Sequence, residues 1–257
     1  MSHIVGVRAS LDEEVAMTGG SGIGSSFDPE RIAALRAQLG QPSVPTPGTP
    51  AKPNSFAPVK QLWLRAGIII TAFVALLYGV EGVDELDHNQ LDYNGIEPRE
   101  ADGLWGILWA PVLHHGWDHL FANTLPVIVL GFITLLAGIG RGIAATAIIW
   151  IVAGVGVWLT GATGSVHLGA SSLIFGWLTF LISRGWFARN LVQIGIGLVV
   201  LAIYGSVLWG VLPGQPGISW QGHLFGAMGG VLAGWVLSGD ERRHRRGDRA
   251  GVIALPR

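Results

Sequence analysis

The chain has 257 residues, 50% of them hydrophobic and only 13% charged, with a mean hydropathy of +0.49. Soluble domains carry about 25% charged residues, so an ordinary water-soluble globular domain is excluded. The net charge of −1 says little, because the charges gather at the ends and in loops, but zero Cys excludes disulfides and thiolate chemistry.

Residues 1–60 are polar and rich in Gly, Ser and Pro, and Pro42, Pro45, Pro47, Pro50, Pro53 and Pro58 make the second half an extended tail. A basic start followed by an apolar run is missing, so no secretory signal peptide is expected. Phe27–Leu39 reads as one short helix, with Asp28 as N-cap and Pro29 at the first helical position. The tail reads as a solvated leader, with a regulatory or partner-binding arm as the alternative.

Apolar runs then follow in order: Gln61–Val80, His119–Ile139, Ile143–Gly161, Ser171–Ser183, Leu191–Leu212 and Gly222–Ser238. Between the first two lie the polar loop Glu81–Pro98 and the shorter run Leu104–Val112, with Trp105 and Trp109 one turn apart. Eleven Trp is a high count, and several close apolar runs, where aromatic belts form. Residues 239–257 form a charged tail. The expected architecture is an all-α membrane protein, a six-helix bundle over 61–238 between two cytoplasmic tails. Alternate loops are basic: Lys60 and Arg65, then Arg141, then Arg184 and Arg189, then the Arg cluster from Arg242 to Arg249. This alternation predicts six crossings with both termini cytoplasmic.

The fourth run is the short one. From Ser171 to Arg184 is roughly 20 Å of helix, against a hydrocarbon core of about 30 Å. With Arg184 at one surface, Ser171 is expected about 10 Å below the other, on the external side.

Polar groups inside apolar spans are functional candidates, and three clusters qualify. In the first, His119 and Asn123 share a helix face and could present N–H donors to one point. His114 lies about 140° from His119 at helical spacing and is expected to precede the helix. His115 and His119, at i, i+4, have spacing a metal could use. The second cluster is Ser171 beside Gly169 and Ala170, either a packing serine or a nucleophile. In the third, His223 is followed by Gly226 and Gly230, a stripe that lets two helices approach closely. From His223 to Asp240 is about 25 Å of helix, which sets His223 and Ser171 at similar depth. A neutral imidazole bonded to a hydroxyl is a nucleophile–base pair. Asp118 is near His119 in sequence, and no third acidic partner for His223 is evident.

These clusters, on the second, fourth and sixth of six helices, resemble the rhomboid family of intramembrane serine proteases over about Trp63–Ser238. His114, His119 and Asn123 match its second-helix motif, Gly169-Ala170-Ser171 its Gly-X-Ser motif, and His223 with Gly226 and Gly230 its last-helix motif. The resemblance implies Ser171 as nucleophile and His223 as general base. It implies an oxyanion hole from His119, Asn123 and the Ser171 backbone N–H, with His114 structural or assisting. Phe175, where some members carry Tyr, could still pack on His223. Ser172 replaces a common Gly, so its side chain must fit where the fourth and sixth helices cross, against Gly222. Trp105-Gly106 replaces a Trp-Arg pair, while Gly95–Arg99 and Gly103–Ile107 resemble a different subset of the family.

The resemblance implies a serine endopeptidase that cleaves transmembrane-helix substrates, surrounded by membrane lipid, with no metal, organic cofactor or nucleic acid. The first loop, with Trp105, Trp109 and Trp117, is expected in the outer interface beside the site. Residues 162–170 are expected to descend beside a water-filled cavity. Two alternatives stand beside this reading. One is a non-catalytic rhomboid-like binding or chaperone module. The other is a metal-dependent membrane protein using His114, His115, His119 and His223, which is disfavoured because no Asp or Glu lies within the six apolar runs.

Overall fold

The structure, a computed structural model, describes residues 29–38, 57–215 and 217–239. Expectations for 1–28, 39–56 and 240–257, including the Asp28 cap, the proline-rich stretch and the charged tail, lie outside the described residues. The chain divides into Met1–Pro53 and Asn54–Arg257. In the first unit α1 spans Pro29–Gln38, within a residue or two of expectation.

The second unit is built from α2 (Ala57–Leu86), α3 (Gly103–Trp109), α4 (Gly116–Leu136), α5 (Ile139–Thr160), α6 (Ser171–Ala188), α7 (Leu191–Tyr204) and α8 (Trp220–Leu237). Short 3-10 turns occupy Leu91–Asn94, Ala110–Val112 and Gly205–Val211. Among the described residues, Pro58–Leu86, Gly116–Leu136, Ile139–Thr160 and Leu191–Val211 are long and apolar enough to cross a membrane. Helices α6 and α8 stand where the fourth and sixth runs were expected, but each has only 18 residues. Both are interrupted by glycines and polar side chains, so they fall short of the length and apolarity of the other four.

Several boundaries differ from expectation: α4 ends at Leu136 and α5 begins at Ile139, so Arg141 lies in the first turn of α5 rather than in a loop, and two further differences bear on the site. Helix α2 continues past Val80 and carries Glu81 and Asp84 into the protein, each only 2% exposed. The Asp84 carboxylate accepts the Leu91 N–H at 2.7 Å and so holds the turn that follows. The six apolar runs as bounded hold no Asp or Glu, but the helices extend beyond them: α2 buries two acidic residues, and Asp118 lies in the first turn of α4. Helix α6 does not stop at Arg184. It continues to Ala188 and ends where Arg189 adopts a left-handed conformation, φ 52°, whose N–H returns to the Gly185 and Trp186 carbonyls. Arg184 is buried, not a surface marker. With 18 residues, α6 is about 27 Å long, so its length alone no longer sinks Ser171 below a surface.

Helix α7 starts at once, because Asn190 caps it, accepting the Val192 and Gln193 N–H groups at 3.1 and 3.4 Å.

Helices α5, α6 and α8 pack through backbone. A Cβ added to Gly226 would land on the Ser172 carbonyl, and one added to Gly230 on the Gly176 carbonyl. At Gly234 it would meet Ser183 Oγ at 2.6 Å, and at Gly229 the Ile149 Cα at 2.9 Å. The stripe read from Gly226 and Gly230 thus extends one turn further to Gly234 on the α6 side, while Gly229 serves α5. Thr179 Oγ1 donates across the α6–α8 seam to the Ala227 carbonyl at 2.8 Å. At this close approach the Ser172 backbone meets Gly226, and Ser172 borders a small cavity also lined by Gly154 and by Gly222, whose own nearest neighbours are Ser219 and Val157.

The first loop is clamped to α5 rather than loose. Trp150 and Trp158, two turns apart, donate indole N–H groups to the Ile107 and Glu100 carbonyls at 2.6 and 2.8 Å. Arg99 reaches the end of α5, donating to the Gly161 carbonyl at 2.8 Å and to Thr163 Oγ1 at 2.6 Å. Gly103 and Gly106 sit against the Glu97 and Gly95 carbonyls, with no room for a side chain. This gives physical content to the glycines of the first-loop motifs. Leu104, Trp105, Leu108 and Trp109 face outward from α3.

Candidate active site

Ser171 opens α6, so its backbone N–H has no intrahelical acceptor. The chain reaches it through a braced segment. Gly169 takes φ +115°, and a Cβ there would strike the His119 ring at 2.7 Å. The Gly169 N–H donates to the Ala110 carbonyl at 2.7 Å. The Ala170 N–H points to His114 Nε2 at 3.4 Å. His114 therefore precedes α4, as its angular offset predicted, and is 1% exposed. Burial, reinforced by the neighbouring His119 imidazole, pushes His114 down to about 4, so it is a neutral imidazole near pH 7.

His223 lies one turn inside α8, 8% exposed. Its Nε2 is 2.9 Å from Ser171 Oγ. Its Nδ1 is 2.9 Å from the Gly210 carbonyl. A carbonyl can only accept, so Nδ1 carries the proton and Nε2 offers its lone pair to the Ser171 hydroxyl. The Phe175 ring stacks on the imidazole, centroids 4.0 Å apart and planes 11° apart. The packing expected of Phe175 is therefore observed without a hydroxyl.

His119 and Asn123 meet Ser171 and His223 around one cavity of about 460 Å³. Asn123 is 6% exposed, and its Nδ2 has no hydrogen-bond partner. With no protein partner at the cavity wall, this amide N–H is available to an acceptor placed in the cavity. Pro126, one turn further along α4, cannot donate to the Ala122 carbonyl, and both residues line the same cavity. His115 borders the same cavity as His119, but it stands before α4 and bonds Asp92 Oδ2 at 2.9 Å. Among the described residues no three His, Asp or Glu side chains gather as a metal-binding group.

Three groups here escape sequence reasoning. The Gly210 carbonyl takes the place where an acidic partner would stand, and a backbone atom has no sequence signature. His167 and Ser219 also border the cavity. Ser219 could have been found as the N-cap of α8, since its Oγ accepts the Gly222 N–H at 3.2 Å. His167 carried a weaker signal, an unexplained imidazole four residues before the serine.

The chain matches the Rhomboid domain over residues 101–240. It is 51% identical over 221 residues to an uncharacterized protein of Mycobacterium tuberculosis, covering 83% of this chain and 89% of that one. An uncharacterized protein of Mycobacterium leprae is 48% identical over 209 residues, covering 78% and 83%. A Bacillus subtilis protein provisionally named a rhomboid protease is 28% identical over 148 residues, 56% of this chain and 73% of that one.

Proposed function

The chain belongs to the rhomboid family, and on that premise we propose that it is an intramembrane serine endopeptidase using Ser171 and His223 as a catalytic dyad. The observation that carries this reading is the Ser171–His223–Gly210 chain, two 2.9 Å contacts that leave Nε2 as a base facing a hydroxyl. A packing serine would need neither contact.

The chemistry runs as acyl transfer. Ser171 Oγ attacks the scissile carbonyl of an unwound substrate segment, and its proton passes to His223 Nε2. The resulting imidazolium keeps its Nδ1–H on the Gly210 carbonyl and its face on Phe175, an arrangement favourable to a cation. The oxyanion is received by the Ser171 N–H, Asn123 Nδ2 and His119. His223 then returns the proton to the leaving amine, and water releases the acyl group from Ser171. His114 supports the segment before Ser171 rather than touching substrate, as its contact with the Ala170 N–H suggests.

In this reading α6 and α8 complete a set of six crossings, both termini are cytoplasmic, and the cavity opens externally. Basic residues at alternate helix ends, Lys60, Arg141 and Arg189, support that orientation, and exposed Trp105 and Trp109 on α3 fit the outer interface. Substrates are single transmembrane helices entering from the lipid.

The test is co-expression with a panel of single-span membrane proteins. Wild type should release a soluble fragment from at least one of them, and Ser171→Ala and His223→Ala should release none while remaining folded. Equal cleavage by either variant rejects the dyad. A wild type that binds substrates but cuts none of them points to the non-catalytic module.

A further inference from the structure

His167 makes two side-chain contacts in the wall of the proposed active site. Its Nδ1 lies 2.7 Å from Ser219 Oγ and its Nε2 lies 2.9 Å from Ser165 Oγ. The directions of these bonds can be deduced. Ser165 Oγ is 2.6 Å from the Ala162 carbonyl, which can only accept, so Ser165 donates there and receives the His167 Nε2–H. Ser219 Oγ already accepts the Gly222 N–H at 3.2 Å, and its own proton is free to go to His167 Nδ1. A neutral imidazole protonated at Nε2 completes the set, with every donor and acceptor used in one direction. Burial pushes His167 down, in agreement with a neutral ring.

The backbone of His167 is fixed as well. It forms an antiparallel bridge with Ile96, giving and receiving hydrogen bonds of 3.0 and 2.9 Å. The neighbouring Gly161 has no side chain, and a Cβ there would come within 2.9 Å of His167 Nε2. The ring therefore sits in a shaped slot.

What the ring joins matters most. His167 stands four residues before Ser171, and Ser219 stands four residues before His223. Ser219 is also bonded directly to His223, since its carbonyl accepts the His223 N–H at 3.1 Å. The 2.7 Å bond between His167 and Ser219 is thus a short strut between the segment that delivers the nucleophile and the cap of the helix that delivers the base.

We propose that His167 is a positioning residue for the Ser171–His223 pair, acting through its Nδ1 bond to Ser219. This rests on the proposed hydrolase reading of the same site. The Ser219 arm is the one that counts. It bridges the two catalytic segments, whereas the Ser165 arm stays within residues 162–170. A misplacement of about 1 Å between reacting groups can lower a rate about a hundredfold, so losing the strut should act on the chemical step rather than on substrate capture.

The two arms can be separated by amide substitutions. In His167→Asn the amide oxygen takes the place of Nδ1 and can still accept from Ser219. In His167→Gln the amide reaches the Nε2 position and leaves Ser219 without its acceptor. The experiment measures cleavage of a model single-span substrate and the rate of Ser171 labelling by a fluorophosphonate, with thermal unfolding in detergent as the control. His167→Gln and Ser219→Ala should each lower kcat and the labelling rate about ten- to a hundredfold, with KM changed less than about threefold. His167→Asn and Ser219→Thr should recover most of the rate. The double variant His167→Gln/Ser219→Ala should be no slower than the worse single one, because both remove one bond. If His167→Gln fails to fold, the comparison of Ser219→Ala with Ser219→Thr decides the matter. Full activity in His167→Gln or Ser219→Ala overturns the strut, and so does equal loss in His167→Asn and His167→Gln. These results differ from failure of the hydrolase reading, in which wild type itself neither cleaves nor reacts at Ser171.

Discussion

The α6–α8 seam and the α7 helix contribute to the site in different ways. Along the seam, glycines at 226, 230 and 234 bring one helix onto the backbone or short hydroxyls of the other. Helix α7 also meets α6 through glycines, Gly185 against the Gln193–Ile194 backbone and Gly197 against the Leu181 carbonyl, but it packs chiefly on that one neighbour and only 11% of an 18-residue window of Leu191–Val211 is buried. Yet each contributes to the same imidazole. The seam fixes where His223 stands, and the Gly210 carbonyl, in the 3-10 turn after α7, fixes its tautomer. Position is thus built into the seam, and proton placement depends on a turn outside it.

The seam should be the more fragile of the two under substitution. Gly226→Val or Gly230→Val drives a side chain into a carbonyl of α6, and overpacking of this kind costs about 1–3 kcal/mol or more. We expect loss of cleavage together with a marked fall in Tm in detergent. A variant that retained both would show that the helices can separate freely, and the contrast with α7 would collapse.

The next largest effect separates activity from stability. A Cβ on Gly210 would lie 2.9 Å from the Phe175 ring tip and 3.1 Å from His223 Nδ1. Gly210→Ala should lower kcat about tenfold or more while Tm changes little, because Gly210 lies in the 3-10 turn after α7, outside the glycine-packed helix contacts. An equal loss of Tm in Gly210→Ala and Gly226→Val would remove the distinction between the two regions.

Much of this site was legible before the fold. Ser171, His223, His119 and Asn123 announce themselves as polar groups beside small residues in apolar runs. The glycine stripe after His223 predicted a close helix pair. The ends of α2 and α6 were not legible, because charge was taken as the signature of a surface. Glu81 and Asp84 are instead buried in the last turns of α2, and Arg184 is buried inside α6. A charged residue marks a boundary only if nothing in the fold shelters it. The Gly210 carbonyl was illegible for a different reason: any residue supplies a carbonyl, and only the fold says which one faces Nδ1.

A third prediction concerns acid. The folded value of His114, about 4, lies below its ordinary value near 6.5. The unfolded chain therefore takes up this proton more readily than the folded one. The contribution to stability is full above about pH 6.5 and is lost as the pH falls toward 4. Thermal melts from about pH 7.5 to 4.5 should show a falling Tm, and His114→Asn should flatten that slope. An identical slope in the variant would mean that other groups carry the acid response.

The smallest effects belong to the outer face of α7. Leu198 and Ile203 are 61% and 66% exposed. Replacing either with Ala should change stability by less than about 0.5 kcal/mol and leave cleavage intact. A large loss at these positions would reveal an unrecognised contact on the outer face of α7.

The central claim, that Ser171 is a nucleophile activated by His223, is tested most directly by fluorophosphonate labelling of the purified protein in detergent. Wild type should form one covalent adduct at Ser171, Ser171→Ala should form none, and His223→Ala should react at least about a hundredfold more slowly. A wild type that does not label, or a His223→Ala variant that labels at the wild-type rate, would contradict the account.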